Sequence, residues 1–144
     1  MRLPVAGIAL LALAGCGQQQ AARADAAWVR LPAVAGRPGA AYFTLSAGQR
    51  PLTLLSVRTP AALRTELHES RRAPTGVMSM VPIGQVDVAA NGSVKLAPGG
   101  KHVMLFDMNP AMKAGGKTML TLAFADGTTL QAPAVLRGAG EAAP

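Results

Sequence analysis

Short runs in which apolar and polar residues alternate recur along most of this chain. Successive side chains of a β-strand point to opposite faces. The run 101–106 therefore predicts a strand with His102 and Met104 on one face and Val103 and Leu105 on the other. One face of this strand can enter a core, while the other presents an imidazole and a thioether.

Two runs upstream show related patterns. In the run 77–81, Met78 and Met80 share a face and the flanking valines share the opposite one. A third run, 65–69, contains His68, the only other histidine of the chain. The two histidines and these methionines can therefore converge if the three strands are neighbours.

Further runs predict strands at 26–31, 40–45, 52–57, 85–88, 93–96, 118–125 and 128–135. The pairs Asn91-Gly92 and Asp126-Gly127 are hairpin signals, because these residues tolerate the positive φ of a tight turn. The segment 60–63 predicts at most one helical turn. About nine strands at short spacing, without helices between them, indicate an all-β, antiparallel β-sandwich.

The N-terminus is typical of an exported lipoprotein. Residues 1–15 combine one positive charge with an apolar run of about ten residues and a small-residue ending, as a signal peptide does. The ending Leu13-Ala14-Gly15-Cys16 resembles a bacterial lipobox, which predicts lipidation of Cys16. An ordinary signal peptide followed by a free thiol is the alternative.

This interpretation divides the chain into four parts. We expect a signal peptide at 1–15, a lipidated tether at 16–25, one folded domain at 26–137 and a disordered tail at 138–144. We therefore expect a periplasmic protein that is anchored in a membrane. Gly17 follows Cys16 in place of the aspartate typical of inner-membrane retention, which favours attachment to the outer membrane over the inner one.

Composition argues against several classes of function. The formal net charge is +7, but the basic residues are dispersed, and Arg71-Arg72 is the only adjacent pair. No aromatic residues interleave them. This distribution argues against nucleic-acid binding. Cys16 is the single cysteine, so the folded domain has no disulfide, thiolate zinc site, cysteine nucleophile or blue-copper ligand. The chain also lacks hydrolase motifs and has few carboxylates, so we do not expect an enzyme. A structural lipoprotein with incidental histidines remains an alternative.

The joint arrangement of histidine and methionine points to a metal. A single methionine on a strand usually fills a core gap, and Met108, Met112 and Met119, which have no such partners, are interpreted as core or loop residues. Imidazole together with thioether, however, is a ligand set suited to the soft ion Cu(I).

The spacing of these residues resembles a known family. Eleven residues separate His68 from Met80, twenty-one separate Met80 from His102, and one separates His102 from Met104. This pattern is similar to the signature of the periplasmic copper chaperones called PCuAC, and the similarity extends over about 28–135.

The resemblance implies a cupredoxin-like or immunoglobulin-like Greek-key sandwich that binds one Cu(I) through His68, Met80, His102 and Met104. Met78 lies outside the matched spacing and is expected to support the ligands or line the pocket. The implied role is delivery of copper to an acceptor, either a cytochrome c oxidase subunit or a thiol-bearing assembly factor. Copper tolerance or storage is the alternative. Glu69 departs from family members that have a methionine at this position.

Three basic residues lie close to the proposed ligands. Arg71 and Arg72 follow the His68 strand, and Lys101 adjoins His102. We expect them to surround the site with positive charge, which would guide docking of an acidic partner; the alternative is an ordinary solvated surface.

Overall fold

The computed structural model describes residues 20–144, so the predicted signal peptide and Cys16 lie outside the described residues. Within this range the chain forms strands and no helix. The strands are β1 (Arg23–Arg30), β2 (Gly39–Ser46), β3 (Leu52–Arg58), β4 (Ala62–Arg72), β5 (Met78–Pro82), β6 (Val86–Val88), β7 (Ser93–Leu96), β8 (Lys101–Met108), β9 (Lys117–Phe124) and β10 (Thr129–Arg137). Accordingly, residues 20–144 contain no helix that could cross a membrane.

The strands form one continuous hydrogen-bonded sheet in the order β5-β4-β8-β2-β1-β10-β9-β3-β6, with β7 paired to the second half of β2. The β1–β10 pair is parallel, and the other pairs are antiparallel. Consecutive strands such as β2 and β3, or β8 and β9, are not neighbours, so the chain crosses repeatedly between distant parts of the sheet. The predicted all-β, Greek-key sandwich class is confirmed.

The sheet folds over on itself, and its inward-facing side chains meet in one hydrophobic core. Aliphatic residues dominate this core because alternate positions of each strand point inward. Its largest fully buried members include Phe43, Leu45, Leu54, Leu96, Leu105, Leu120, Leu122 and Leu136. Met108 and Met112 are partly buried against this core, which agrees with the interpretation of both as packing residues.

Several boundaries differ from those predicted. The first strand begins at Arg23, because residues 23–25 pair with 44–46 of β2 before a bulge at Ala26, whose φ is +51°. β4 begins at Ala62, so the segment 60–63 is a turn leading into a strand and not a helical turn. β4 also continues to Arg72, where a loop was expected.

Both predicted turns are present, and Asn91 and Gly127 adopt positive φ values of +58° and +84°. The turn at Asp126-Gly127 closes the β9–β10 hairpin. The hairpin predicted at Asn91-Gly92 is wrong, because β6 pairs with β3 and β7 pairs with β2. Residues 138–144 form no strand.

Candidate metal centre

His68 of β4 and His102 of β8 lie directly opposite each other in the antiparallel register. Their ring centroids are 6.0 Å apart. Only 7% of His68 and 3% of His102 is accessible to solvent. The register therefore places both histidines of the chain side by side on one face of the sheet, close enough for one ion to contact both rings.

The two predicted methionine ligands are diagonal neighbours of His68. Met104 is two residues beyond His102 on β8 and pairs with Glu66. Met80 of the edge strand β5 pairs with Ser70, two residues beyond His68 on β4. Diagonal positions lie about 7–8 Å apart and are within reach of long side chains. His68 is thus the residue that adjoins each of the other three predicted ligands.

Met78 occupies the same face as Met80 but pairs with Arg72, one register step further from His68. The exposed fractions are 48% for Met78 and 59% for Met80. Met80, and not Met78, lines the same cleft as His102 and Met104. The register and the cleft lining therefore distinguish Met80 from Met78.

Each histidine uses one ring nitrogen in a hydrogen bond and leaves the other without a partner. Nε2 of His68 lies 2.9 Å from Oε2 of Glu66, and Nδ1 of His102 lies 2.9 Å from the carbonyl oxygen of Gly100. Nδ1 of His68 and Nε2 of His102 are buried and have no hydrogen-bond partner among the described residues. Because a buried polar atom without a partner is costly, these two nitrogens are the best candidates for metal ligation.

Glu66 was not predicted as a functional residue. It shares the face of His68 because only one residue separates them on β4, and that spacing is the signal that could have identified it. Its carboxylate also binds Arg64, whose guanidinium lies 3.8 Å from the centroid of the Phe106 ring. The hydrogen bond from His68, followed by the charge of Arg64, holds the pKa of Glu66 below its ordinary value.

An aromatic and cationic wall, which the sequence did not reveal, borders the site on the β2 side. Tyr42 lies 6.4 Å from His102 and 4.6 Å from Trp28, between ring centroids. The Arg30 guanidinium lies 5.0 Å from the Trp28 ring centroid and 5.6 Å from that of Tyr42. Burial raises the pKa of the Tyr42 phenol, and the charge of Arg30 opposes this effect.

An open cleft of about 360 Å³ adjoins this wall. Arg30 and Tyr42 line it together with Met80, His102 and Met104, whereas His68 is not among its lining residues. Met80 is the most exposed of the four predicted ligands.

The expected ring of positive charge needs correction. Arg71 and Lys101 both form ion pairs of 2.9 Å with Glu69. Because Glu69 and Arg71 alternate with His68 along β4, these charges lie on the opposite face of the strand pair from the ligands. Of the three basic residues, only Arg72 shares the face of His68, as its register with Met78 shows.

Residues 20–144 contain no cluster of three histidine, cysteine or acidic side chains that could hold a metal ion. Beside His68 and His102, the register places the thioether-bearing residues Met80 and Met104. Fold and site together define an all-β protein that presents a histidine–methionine cluster on one face of its sheet.

Comparison with known proteins places the chain in a family. The chain belongs to the family described as "Putative lipoprotein LpqE-like", which matches residues 23–135. It is also 26% identical over 141 residues to a protein of Leifsonia xyli subsp. xyli (strain CTCB07) called "Putative lipoprotein Lxx21020". That similarity covers 90% of this chain and 84% of the relative.

Solved structures with the same fold include PCuAC domains. The copper-bound PCuAC domain from PmoF2 is 19% identical, with a TM-score of 0.67, over 83% of this chain and 94% of that domain. Apo-DR1885 from Deinococcus radiodurans is 27% identical, with a TM-score of 0.62, over 98% of this chain and 96% of that protein. Its Cu(I) form is 30% identical, with a TM-score of 0.55, over 77% and 76% of the two chains. The resemblance to PCuAC is confirmed.

Proposed function

We propose that this protein is an extracytoplasmic copper chaperone that binds one Cu(I) through His68, Met80, His102 and Met104. The observation that carries the proposal is the pair of buried, unpartnered ring nitrogens on directly opposed histidines. The two thioethers lie at the diagonal positions on either side of His68. Neutral imidazoles and thioethers suit a soft monovalent ion.

The donor set is suited to a carrier. Thioethers bind Cu(I) without losing a proton, and they do not form disulfides in an oxidising compartment. Thiolates are stronger ligands, so an acceptor that offers them can take the ion. Met80 lines the cleft and is the most exposed of the four proposed ligands, so an incoming ligand would displace this donor first. The copper-bound forms of PmoF2 and DR1885 support copper as the cargo.

We further propose that the protein is attached to a membrane through Cys16, on the periplasmic side and at the outer membrane in preference to the inner one. The lipoprotein descriptions of the family and of the Leifsonia relative support the anchor. The proposed destination of the copper is an acceptor in assembly of the cytochrome c oxidase copper centre. The proposal includes no catalytic step.

A competition titration of Cu(I) against a chromophoric chelator tests copper binding. We expect one Cu(I) per wild-type chain and weaker binding after His68→Ala, Met80→Leu, His102→Ala or Met104→Leu. Met108→Leu and Met119→Leu are matched methionine controls, since Met108 packs against the core and Met119 lies on β9. Equal losses in controls and ligand variants, or wild-type binding by His102→Ala, would refute the site.

A second measurement separates a carrier from a storage protein. Copper-loaded protein is mixed with a peptide containing two cysteines, and the copper in each fraction is measured after rapid separation. A carrier transfers its copper within the mixing experiment. Retention of the ion against an excess of thiolate would favour storage.

A further inference from the structure

The two histidines of the site have opposite hydrogen-bonding patterns. His68 directs Nε2 toward a carboxylate, and His102 directs Nδ1 toward a backbone carbonyl. An ionised carboxylate and a carbonyl oxygen can only accept hydrogen bonds. In each neutral ring the hydrogen therefore lies on the nitrogen that faces the acceptor, and the lone pair lies on the other nitrogen.

We infer that the sheet fixes the two histidines as opposite tautomers, so that Cu(I) is bound at Nδ1 of His68 and at Nε2 of His102, with Glu66 as the positioning residue for His68. This inference rests on the proposed function. It adds which nitrogen of each ring binds the ion and which residue determines that choice. The unpartnered nitrogens are the two that the inference assigns to the metal.

Glu66 is itself held in place by two contacts. Its second carboxylate oxygen binds the Arg64 guanidinium, and Arg64 stacks over the Phe106 ring at 3.8 Å. Glu66, Arg64 and Phe106 all lie on the ligand face, since Arg64 pairs with Phe106 and Glu66 pairs with Met104.

The two orienting groups differ in what a mutation can remove. The acceptor for His102 is a main-chain carbonyl, so no side-chain substitution deletes it. The acceptor for His68 is a side chain and can be deleted. Outer carboxylate and carbonyl partners of this kind fix the orientation of metal-binding histidines, and their loss typically costs about 10- to 100-fold in metal affinity.

Glu69 provides a matched control. It is adjacent to His68 in sequence, and like Glu66 it pairs with basic side chains, Arg71 and Lys101. It lies on the opposite face of β4, however, and it accepts hydrogen bonds from Arg71 and Lys101 and not from either imidazole. Glu69→Gln therefore removes a comparable charge without affecting the hydrogen bond between Glu66 and His68.

The test is long-range ¹H–¹⁵N spectroscopy of the histidine rings in uniformly labelled protein, at about pH 8, where ordinary imidazole is neutral. Without metal, we expect the Nε2–H pattern for His68 and the Nδ1–H pattern for His102. Addition of Cu(I), which is diamagnetic, should shift Nδ1 of His68 and Nε2 of His102 most strongly. Shifts at Nε2 of His68 or Nδ1 of His102 would overturn the nitrogen assignment while leaving copper binding intact. Absence of any shift would instead overturn the proposed function.

The variants test the role of Glu66. In Glu66→Ala, we expect both tautomers of His68, a Cu(I)-dependent shift no longer confined to Nδ1, and roughly 10- to 100-fold weaker copper binding. Glu66→Gln retains an oxygen acceptor and should restore the single tautomer and most of the affinity, while Glu69→Gln should behave as wild type. A wild-type His68 pattern and affinity in Glu66→Ala, or equal effects in the Glu69→Gln control, would refute the positioning role.

Discussion

Met80 pairs with Ser70 and is therefore a diagonal neighbour of His68, whereas Met78, on the same face of the same strand, is one register step away. We predict that Met80→Leu weakens Cu(I) binding by at least about tenfold, while Met78→Leu weakens it much less, because only Met80 is a diagonal neighbour of His68. Both side chains are largely exposed, so the free energy of unfolding should change by less than about 0.5 kcal/mol in either variant. Chelator competition and urea denaturation of the two proteins test this prediction. Equal losses of affinity would show that the register does not select the ligand.

Met104 and Leu105 are adjacent on β8 but face opposite sides of the sheet. Leu105 is fully buried in the core, so Leu105→Ala should lower the free energy of unfolding by about 2–5 kcal/mol. Met104→Leu keeps most of the volume and should cost less than about 1.5 kcal/mol while weakening copper binding. Urea denaturation without metal, compared with chelator competition on the same samples, separates the two effects. A large loss of stability in Met104→Leu would mean that this side chain is part of the core.

Glu69 accepts hydrogen bonds from Lys101 and Arg71, which lower its pKa, with Lys101 making the larger contribution. A carboxyl whose pKa is lower in the folded state stabilises the fold above its unfolded-state pKa, ordinarily about 4.3. This contribution is lost as the pH falls through the lower, folded-state pKa. The melting temperature of wild type should therefore exceed that of Glu69→Gln by a small amount at neutral pH, and the difference should disappear in acid.

The same pair of proteins should respond differently to salt. The Glu69 ion pairs are partly exposed and are screened at high ionic strength, so the difference in melting temperature at neutral pH should also shrink as salt is added. A difference that persists in acid would mean that Glu69 acts through packing and not through charge.

Of the three basic residues that the sequence predicted near the site, only Arg72 is still expected to influence copper exchange, and Arg30 joins it. Arg30 lines the cleft, and Arg72 lies on the ligand face, whereas Lys101 lies on the opposite face with Glu69. We predict that transfer of Cu(I) to a sulfonated, anionic chelator slows as ionic strength rises, since exposed charges are screened within about 10 Å at 0.1 M salt. Arg30→Gln should slow transfer at low salt more than Lys101→Gln does. Stopped-flow absorbance measures both, and rates independent of salt in wild type would exclude electrostatic guidance.

Lipidation is predicted at Cys16, in the part of the sequence that precedes the described residues. We expect Cys16→Ser to move the protein from the membrane fraction to the soluble periplasmic fraction, because no thiol remains for the lipid. Detection of the protein in separated inner-membrane, outer-membrane and periplasmic fractions tests this expectation. Unchanged partitioning would argue against a lipid anchor, and inner-membrane partitioning of wild type would correct the proposed address.

Much of the fold could be predicted because its signals are local. Alternation within a run of six residues determined that His102 and Met104 share a face, and that Val103 and Leu105 enter the core. Asn91 and Gly127 identified turns because few residues tolerate their backbone conformation. The strand ends were less predictable: residues 23–25 join β1 only because β2 offers them hydrogen-bond partners.

The sequence by itself determined the all-β class, the residues that share each strand face and the donor set available to a soft metal. Only the tertiary structure decided which faces meet, because register depends on hydrogen bonds between strands that are distant in the chain. It brought His68 opposite His102, placed Met80 ahead of Met78, and turned Glu66 toward the imidazole of His68. It also extended β4 to Arg72, where the sequence predicted a loop, and so placed Arg71 with Glu69 and Lys101 on the face opposite the ligands.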